Sequence, residues 1–92
     1  MDLRAAEQQL KRLVLENTLS LERTEDISDE TDLISDLNYD SIAAIQLIVD
    51  IENTFGIEVE DAYLSLEAIA QFGKLKSGIL RQLEAKVEDQ NE

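Results

Sequence analysis

The segment Asp36-Leu37-Asn38-Tyr39-Asp40-Ser41-Ile42 has the clearest potential for chemistry, because one serine stands where a helix is expected to begin. Asp40 is a favourable N-cap, since its carboxylate can accept a hydrogen bond from an amide of the first turn. Ser41 would then begin the helix with an exposed hydroxyl, where free N–H groups and the helix dipole favour a phosphate. Asp-Ser before an apolar run is also a common helix start, so these two residues alone leave both interpretations open.

A calcium site in the same segment is not predicted. Asp36, Asn38 and Asp40 have the spacing that opens an EF-hand loop. The sixth position of that loop needs glycine but holds Ser41, and the twelfth needs a bidentate glutamate but holds Leu47. We therefore expect no dedicated metal site.

Catalysis by the serine is not predicted either. A serine nucleophile needs a base within hydrogen-bond reach and an oxyanion pocket. The chain has no histidine and no cysteine, and its four lysines fall in predicted helices far along the chain. The absence of cysteine also excludes disulfides and thiolate metal sites. We expect a protein that is not an enzyme.

The residues after Ser41 predict a helix with two apolar sides. A wide stripe lies between about 240 and 340° from Ser41 at 100° per residue; it comprises Ala44, Leu47, Ile48, Ile51 and Phe55. A narrow stripe lies between about 40 and 100°; it comprises Ile42, Ile45 and Val49, flanked by Gln46, Glu52 and Asn53. The wide stripe is expected to face the core. The narrow stripe, an apolar patch with a polar rim, is typical of an interaction surface.

Residues 33–61 carry a longer pattern: a leucine three residues before Asp-Ser, an apolar helix ending in glutamate and phenylalanine, and a short Ile-Glu-Val segment. The matching positions are Leu37, Asp40, Ser41, Leu47, Glu52, Phe55, Ile57, Glu58 and Asp61, with Ile42, Ile45 and Val59 as conservative variants. In this pattern the chain resembles the acyl carrier proteins. The resemblance implies that Ser41 carries 4'-phosphopantetheine, derived from coenzyme A, through a phosphodiester. Acyl or aminoacyl groups would be attached to its thiol as thioesters.

The chain departs from the family pattern at three places. Asn38 stands where glycine is usual, and Asn is the next most tolerant residue of left-handed backbone. Gln46 stands where fatty-acid carriers commonly have a docking glutamate, and no proline follows Val59. The run from Ile45 to Asn53 also resembles D-alanyl carrier proteins, so an aminoacyl cargo stays open beside a fatty or polyketide one.

The resemblance also implies roles for residues around the serine. Asp40 would cap the helix and be recognised by a phosphopantetheinyl transferase. The docking face for this transferase and for acyl or aminoacyl ligases and acyl-processing enzymes would comprise Ile42, Ile45, Gln46, Val49 and Glu52. A fatty cargo would withdraw into the core near Leu47, Ile51, Phe55, Val59 and Ile69.

The charge of the chain points to basic partners. Its net charge is −13, and residues 20–61 hold thirteen acids against Arg23 alone. Such a surface repels nucleic acid and would attract basic docking surfaces, although solvation alone also accounts for acidic surfaces. No stretch is long enough for a membrane span, and the N-terminus lacks the apolar core of a signal peptide. We expect a cytoplasmic monomer.

The spacing of apolar residues predicts one all-α domain over residues 1–92: a small four-helix bundle with a long first loop and a short third helix. The helices are expected at about 3–19, 41–55, 62–69 and 73–88, with Gly73 as the cap of the last. The loop, residues 20–39, is expected to contain an extra turn at 29–33 and to be fastened by Ile27, Leu33, Ile34 and Leu37. An acidic helical interaction module without a prosthetic group would show the same features, and it is the alternative from another class.

Overall fold

The computed structural model describes residues 3–18, 23–59 and 66–90 of the chain. It contains four α-helices: α1 (Leu3–Glu16), α2 (Ser41–Phe55), α3 (Leu66–Ile69) and α4 (Phe72–Gln90), with a 3₁₀ turn at Thr24–Asp26. Within these ranges the only β-type pairing is a single antiparallel bridge between Asp32 and Gln71. The predicted all-α class is confirmed. No helix in these ranges is long and apolar enough to cross a membrane.

The first helix ends earlier than the predicted residue 19. The Asn17 side chain donates to the Leu13 carbonyl oxygen over 3.0 Å, and the Thr18 amide donates to the Leu15 carbonyl oxygen over 3.3 Å. These bonds satisfy carbonyls that have no partner inside the helix. The last turn is therefore closed by local capping after Glu16.

The long loop is held by backbone bonds to the junction between α3 and α4. The bonds run from Leu33 N to Ala70 O (2.6 Å), from Phe72 N to Thr31 O (2.9 Å) and from Gly73 N to Asp29 O (3.0 Å). A 3₁₀ turn lies at Thr24–Asp26. The predicted turn at 29–33 is present in part, because residues 29–30 form a turn that is closed by the bond from Thr31 N to Ser28 O over 3.0 Å. Of the residues expected to fasten the loop, Ile27, Leu33 and Leu37 are buried, whereas Ile34 is exposed.

Gly73 is not the cap of the last helix, because α4 begins at Phe72. A Cβ atom at Gly73 would lie 2.9 Å from the Asp29 carbonyl oxygen. Glycine at this position therefore allows the loop backbone to approach the helix closely. At the other end α4 continues to Gln90, beyond the predicted residue 88. Residues 62–65 of the predicted third helix, and Asp61 before them, lie outside the described ranges.

The core is formed by the inward sides of α1, α2 and α4 together with anchors from the loop. On α2 the buried residues are Ala44, Leu47, Ile48 and Ile51, while Phe55 is half-buried against the same cluster. This is the wide stripe predicted from the sequence, and its burial fixes which side of α2 faces outward. Burying a side chain of this size contributes about 1.5–3 kcal/mol.

Candidate functional site

Ser41 is the first residue of α2, and its position is set by Asp40. Asp40 has extended backbone angles (φ −119°, ψ −177°), and its Oδ1 accepts a hydrogen bond from the Ala43 amide over 2.8 Å. The Asp40 carbonyl oxygen accepts the first helical bond, from Ala44 N over 2.9 Å. This is a complete N-cap. It places the Ser41 hydroxyl on the first turn of the helix.

The Ser41 side chain is exposed. Its hydroxyl makes no hydrogen bond to any other residue within the described part of the chain. The amides and the dipole at a helix start favour a bound negative charge. A phosphate ester on this oxygen would therefore project into solvent and meet a favourable backbone field.

The backbone that approaches Ser41 takes a left-handed turn at Asn38, whose φ is 58°. The sequence predicted that asparagine could replace glycine here, and the turn is present. Leu37 is buried on one side of the turn and Tyr39 on the other. The Tyr39 amide donates to the Leu33 carbonyl oxygen over 2.9 Å, which closes the turn onto the loop.

Tyr39 connects the site to the end of α1. Its hydroxyl donates to the carbonyl oxygen of Val14, one of the last four carbonyls of that helix. Burial, with a smaller contribution from the charge of Asp50, raises the pKa of the Tyr39 phenol. Sequence reasoning did not single out this residue. The available signal was an aromatic side chain placed between two polar residues, Asn38 and Asp40.

A second polar connection joins α2 to the end of α1. Asn17 donates to Asp50 Oδ2 over 2.9 Å, and Gln46 donates to Asp50 Oδ1 over 3.0 Å. Gln46 is exposed, so its amide contacts both Asp50 and solvent. The carboxylate of Asp50 is thereby held against α1 instead of rotating freely.

An open groove of about 580 Å³ lies beside the start of α2. It is lined by residues 16–18 at the end of α1 and by Asp36, Asn38, Asp40 and Ala43. Three carboxylates, those of Glu16, Asp36 and Asp40, therefore border the space next to Ser41. No group of three or more metal-binding side chains is arranged to hold an ion in the described ranges.

The narrow apolar stripe of α2 faces outward. Ile42 is 78% exposed, Ile45 is 62% exposed and Val49 is 41% exposed. Large apolar side chains are exposed at only two other described positions, Leu3 and Ile34. The structure thus brings three of the five predicted docking residues together on one uncovered face, beside Gln46.

Comparison with known proteins identifies the family. A family model described as "Phosphopantetheine attachment site" matches residues 8–73. An acyl carrier protein of Thermotoga maritima is 39% identical over 57 residues, which cover 62% of this chain and 68% of the relative. The chain belongs to the acyl carrier protein family.

Two further relatives of this carrier protein agree with the assignment. An acyl carrier protein of Coprothermobacter proteolyticus is 40% identical over 57 residues, covering 62% of this chain and 67% of the relative. An acyl carrier protein of Desulforapulum autotrophicum is 32% identical over 57 residues, covering 62% of this chain and 73% of the relative. The protein is a carrier and not an enzyme. Its cofactor is covalently attached 4'-phosphopantetheine, which excludes the alternative of a module without a prosthetic group.

The residues at the start of α2 fit this cofactor. Ser41 offers an exposed hydroxyl, and the surrounding first turn can accommodate the charge of a phosphodiester. When bound, the cofactor supplies a flexible arm that ends in a thiol. The assignment of Ser41 as the attachment residue stays a prediction, as does recognition of Asp40 by a transferase.

The carrier's predicted cargo residues all belong to one core cluster. Leu47, Ile51, Val59 and Ile69 are buried, and Phe55 packs half-buried against them. Four of the five are thus already covered by neighbouring side chains. A cargo that entered this region would have to displace part of that packing, and its binding there stays a prediction.

Glu52 has a structural bond that the sequence did not indicate. Its Oε2 accepts a hydrogen bond from the Val59 amide over 2.9 Å, and the side chain is half-buried. The bond closes the segment that follows α2, where Gly56 ends the helix with a φ of 65°. Lys86 of α4 donates to the Gly56 carbonyl oxygen over 2.8 Å. Glu52 therefore contacts the fold itself, and its part in docking stays a prediction.

Proposed function

We propose that this carrier tethers acyl intermediates as thioesters on an arm attached to Ser41 and presents them to enzymes of fatty-acid, polyketide or related biosynthesis. The observation that carries the proposal is the exposed Ser41 hydroxyl at the capped start of α2. In the loading step the serine oxygen attacks the pyrophosphate of coenzyme A. A phosphodiester forms, the adenosine bisphosphate portion leaves, and the hydroxyl proton passes to a base of the transferase.

Docking of partner enzymes is proposed to use the outward face of α2. The exposed side chains of Ile42, Ile45 and Val49 provide apolar contact area. Residues 20–61 hold thirteen acids against Arg23 alone, and three of these acids, Asp40, Asp50 and Glu52, belong to α2 or to its N-cap. Partners with basic docking surfaces, among them a phosphopantetheinyl transferase and acyl ligases, would be attracted to this face. The flexible arm then raises the effective concentration of the thioester at a partner's active site.

The attachment is tested by intact-mass measurement. The purified apo chain is incubated with coenzyme A and a phosphopantetheinyl transferase of broad specificity. Wild type is expected to gain the mass of one arm, and Ser41→Ala is expected to gain none. Ser35→Ala is the matched control, because Ser35 is an exposed serine of the preceding loop. Absence of any gain in wild type, or a gain that persists in Ser41→Ala, would contradict the proposal.

An aminoacyl cargo is the second candidate. It is supported by the groove beside Ser41, where three carboxylates could attract the ammonium group of an aminoacyl thioester. Loading the holo chain with an alanyl or a hexanoyl group and comparing amide chemical shifts at Asn17 and Asn38 distinguishes the two cargoes. Larger shifts with the alanyl group favour the aminoacyl carrier.

The single-domain organisation, the monomeric state and the cytoplasmic location are kept as predictions from the sequence.

A further inference from the structure

We propose that Tyr39 is a positioning residue for phosphopantetheinyl transfer. Its buried hydroxyl joins the segment before Ser41 to the end of α1, and this bond holds the serine oxygen where the transferase needs it. The inference rests on the proposed function, in which Ser41 is the acceptor.

Tyr39 is the last buried residue before Ser41. Its side chain is 4% exposed, whereas Asn38, Asp40 and Ser41 are all exposed. Only one residue, Asp40, separates it from the acceptor serine. Any shift of the Tyr39 backbone is therefore passed directly to the N-cap and to the first turn of α2.

The bond made by the Tyr39 hydroxyl has a specific structural partner. The Val14 carbonyl lies in the last turn of α1, where no amide of the same helix can reach it. Val14 is fully buried. Because both groups lie inside the protein, the bond cannot be replaced cheaply by water. It connects the C-terminal end of one helix with the segment that begins the next.

A neighbouring bond restrains the same segment. The Thr18 hydroxyl donates to the Leu37 carbonyl oxygen over 2.6 Å. The residues at the end of α1 thus hold the approach to Ser41 at Leu37 and at Tyr39. Two contacts on successive parts of the left-handed turn fix its orientation as well as its distance from α1.

A phenylalanine could fill the same space without the cost of burying a hydroxyl. Tyr39→Phe therefore keeps the packing of the ring and removes only the hydroxyl's bond to Val14. This substitution separates the role of the ring from the role of the oxygen. Since misplacement of a reacting group by about 1 Å can strongly reduce a rate, a loosened segment should slow transfer to Ser41. The docking face formed by Ile42, Ile45 and Val49 does not involve the Tyr39 hydroxyl, so binding of the transferase should change little.

The test compares apo Tyr39→Phe with wild type under conditions in which both are folded. Loss of one hydrogen bond corresponds to about a fivefold change in a local opening equilibrium. Amide hydrogen exchange at Ala43 and Ala44 is therefore expected to become about fivefold faster. The kcat of phosphopantetheinyl transfer is expected to fall by about twofold to fivefold, with KM for the carrier nearly unchanged.

Ile79→Val is the matched control for a general loss of stability, because Ile79 is a buried residue of α4. It should leave both the exchange at Ala43 and the transfer kcat at wild-type values. Thr18→Val removes the neighbouring bond to Leu37 and should lower kcat, as Tyr39→Phe does. It replaces Tyr39→Phe in the test if Tyr39→Phe does not fold. An unchanged kcat in Tyr39→Phe, or an equal fall in Ile79→Val, would overturn the inference. Wild type that accepts no arm would instead overturn the proposed function.

Discussion

The cap of α2 can be tested by two substitutions at Asp40 that separate its hydrogen bond from its charge. Asp40→Ala removes the oxygen that accepts the 2.8 Å bond from Ala43 N. Loss of such a cap costs about 1 kcal/mol, within a range of about 0.5–2. For a chain of this size, about 1 kcal/mol lowers Tm by about 4–8 °C. Asp40→Asn keeps an acceptor at the same place, so it should lose only the charge–dipole attraction, about 0.3–1 kcal/mol.

Urea unfolding followed by circular dichroism measures both losses, with the slope of the transition unchanged if only stability has changed. The rate of phosphopantetheinyl transfer to Ser41 then measures recognition. If the transferase reads the carboxylate, Asp40→Asn will be modified slowly although its helix is still capped. If Asp40→Ala unfolds at the same urea concentration as wild type, the cap bond makes no contribution and our account of how α2 begins is wrong. Equal transfer to wild type and Asp40→Asn would leave Asp40 as a cap alone.

Three further predictions concern the two stripes of α2 and two ionisable side chains. Ile45→Arg should leave Tm nearly unchanged and weaken transfer by partner enzymes, whereas Leu47→Ala should cost about 2–5 kcal/mol of unfolding free energy because it empties part of the core. Burial raises the pKa of Tyr39 above its ordinary value of 10.0. The stability that the protonated Tyr39 side chain contributes is therefore complete below pH 10.0, and it is lost as pH rises through the pKa of the folded state. The tyrosinate absorbance of Tyr39 is obtained by subtracting the spectrum of Tyr39→Phe from that of wild type. It should appear at the same pH at which helicity is lost. The hydrogen bond from Lys76 lowers the pKa of Glu7, so the stability lost in Lys76→Met, up to about 1 kcal/mol, should shrink as pH falls through the folded pKa of Glu7.

Each of these predictions has a clear contrary result. Unfolding of Ile45→Arg would mean that the two stripes of α2 are assigned the wrong way round. Ionisation of Tyr39 near its ordinary pKa with the helices intact would show that its hydroxyl is not buried. If the loss of stability in Lys76→Met does not depend on pH, the ion pair with Glu7 is not its cause.

The sequence predicted α2 to its terminal residues, because both ends carry local signals. Asp40 can only cap a helix that begins at Ser41, and Gly56 can take the left-handed conformation that ends it. The direction of its two apolar stripes follows from the helical repeat alone. The outward exposure of Ile42 and Ile45 could therefore be predicted from the sequence.

The features that the sequence did not predict depend on contacts between distant parts of the chain. Gly73 is needed because the backbone of Asp29 passes over the start of α4. The role of Tyr39 depends on the end of α1 lying beside it, and no local pattern specifies that distance. The same holds for Glu52, whose bond to Val59 becomes visible only once the segment after α2 has folded back.

Two of the eight basic residues of the chain, Lys76 and Lys86, bind groups away from the start of α2. Lys76 binds Asp29 over 2.6 Å and Glu7 over 3.1 Å, and Lys86 donates to carbonyl oxygens at the end of α2. The partners of these two cations lie in α1, in the loop and at the end of α2, so neither cation pairs with the acids beside the serine. Asp40 and Asp50 are meanwhile held in place by hydrogen bonds. A basic partner therefore meets fixed negative charge beside an exposed apolar stripe, so charge should govern the rate of encounter and the stripe the lifetime of the complex.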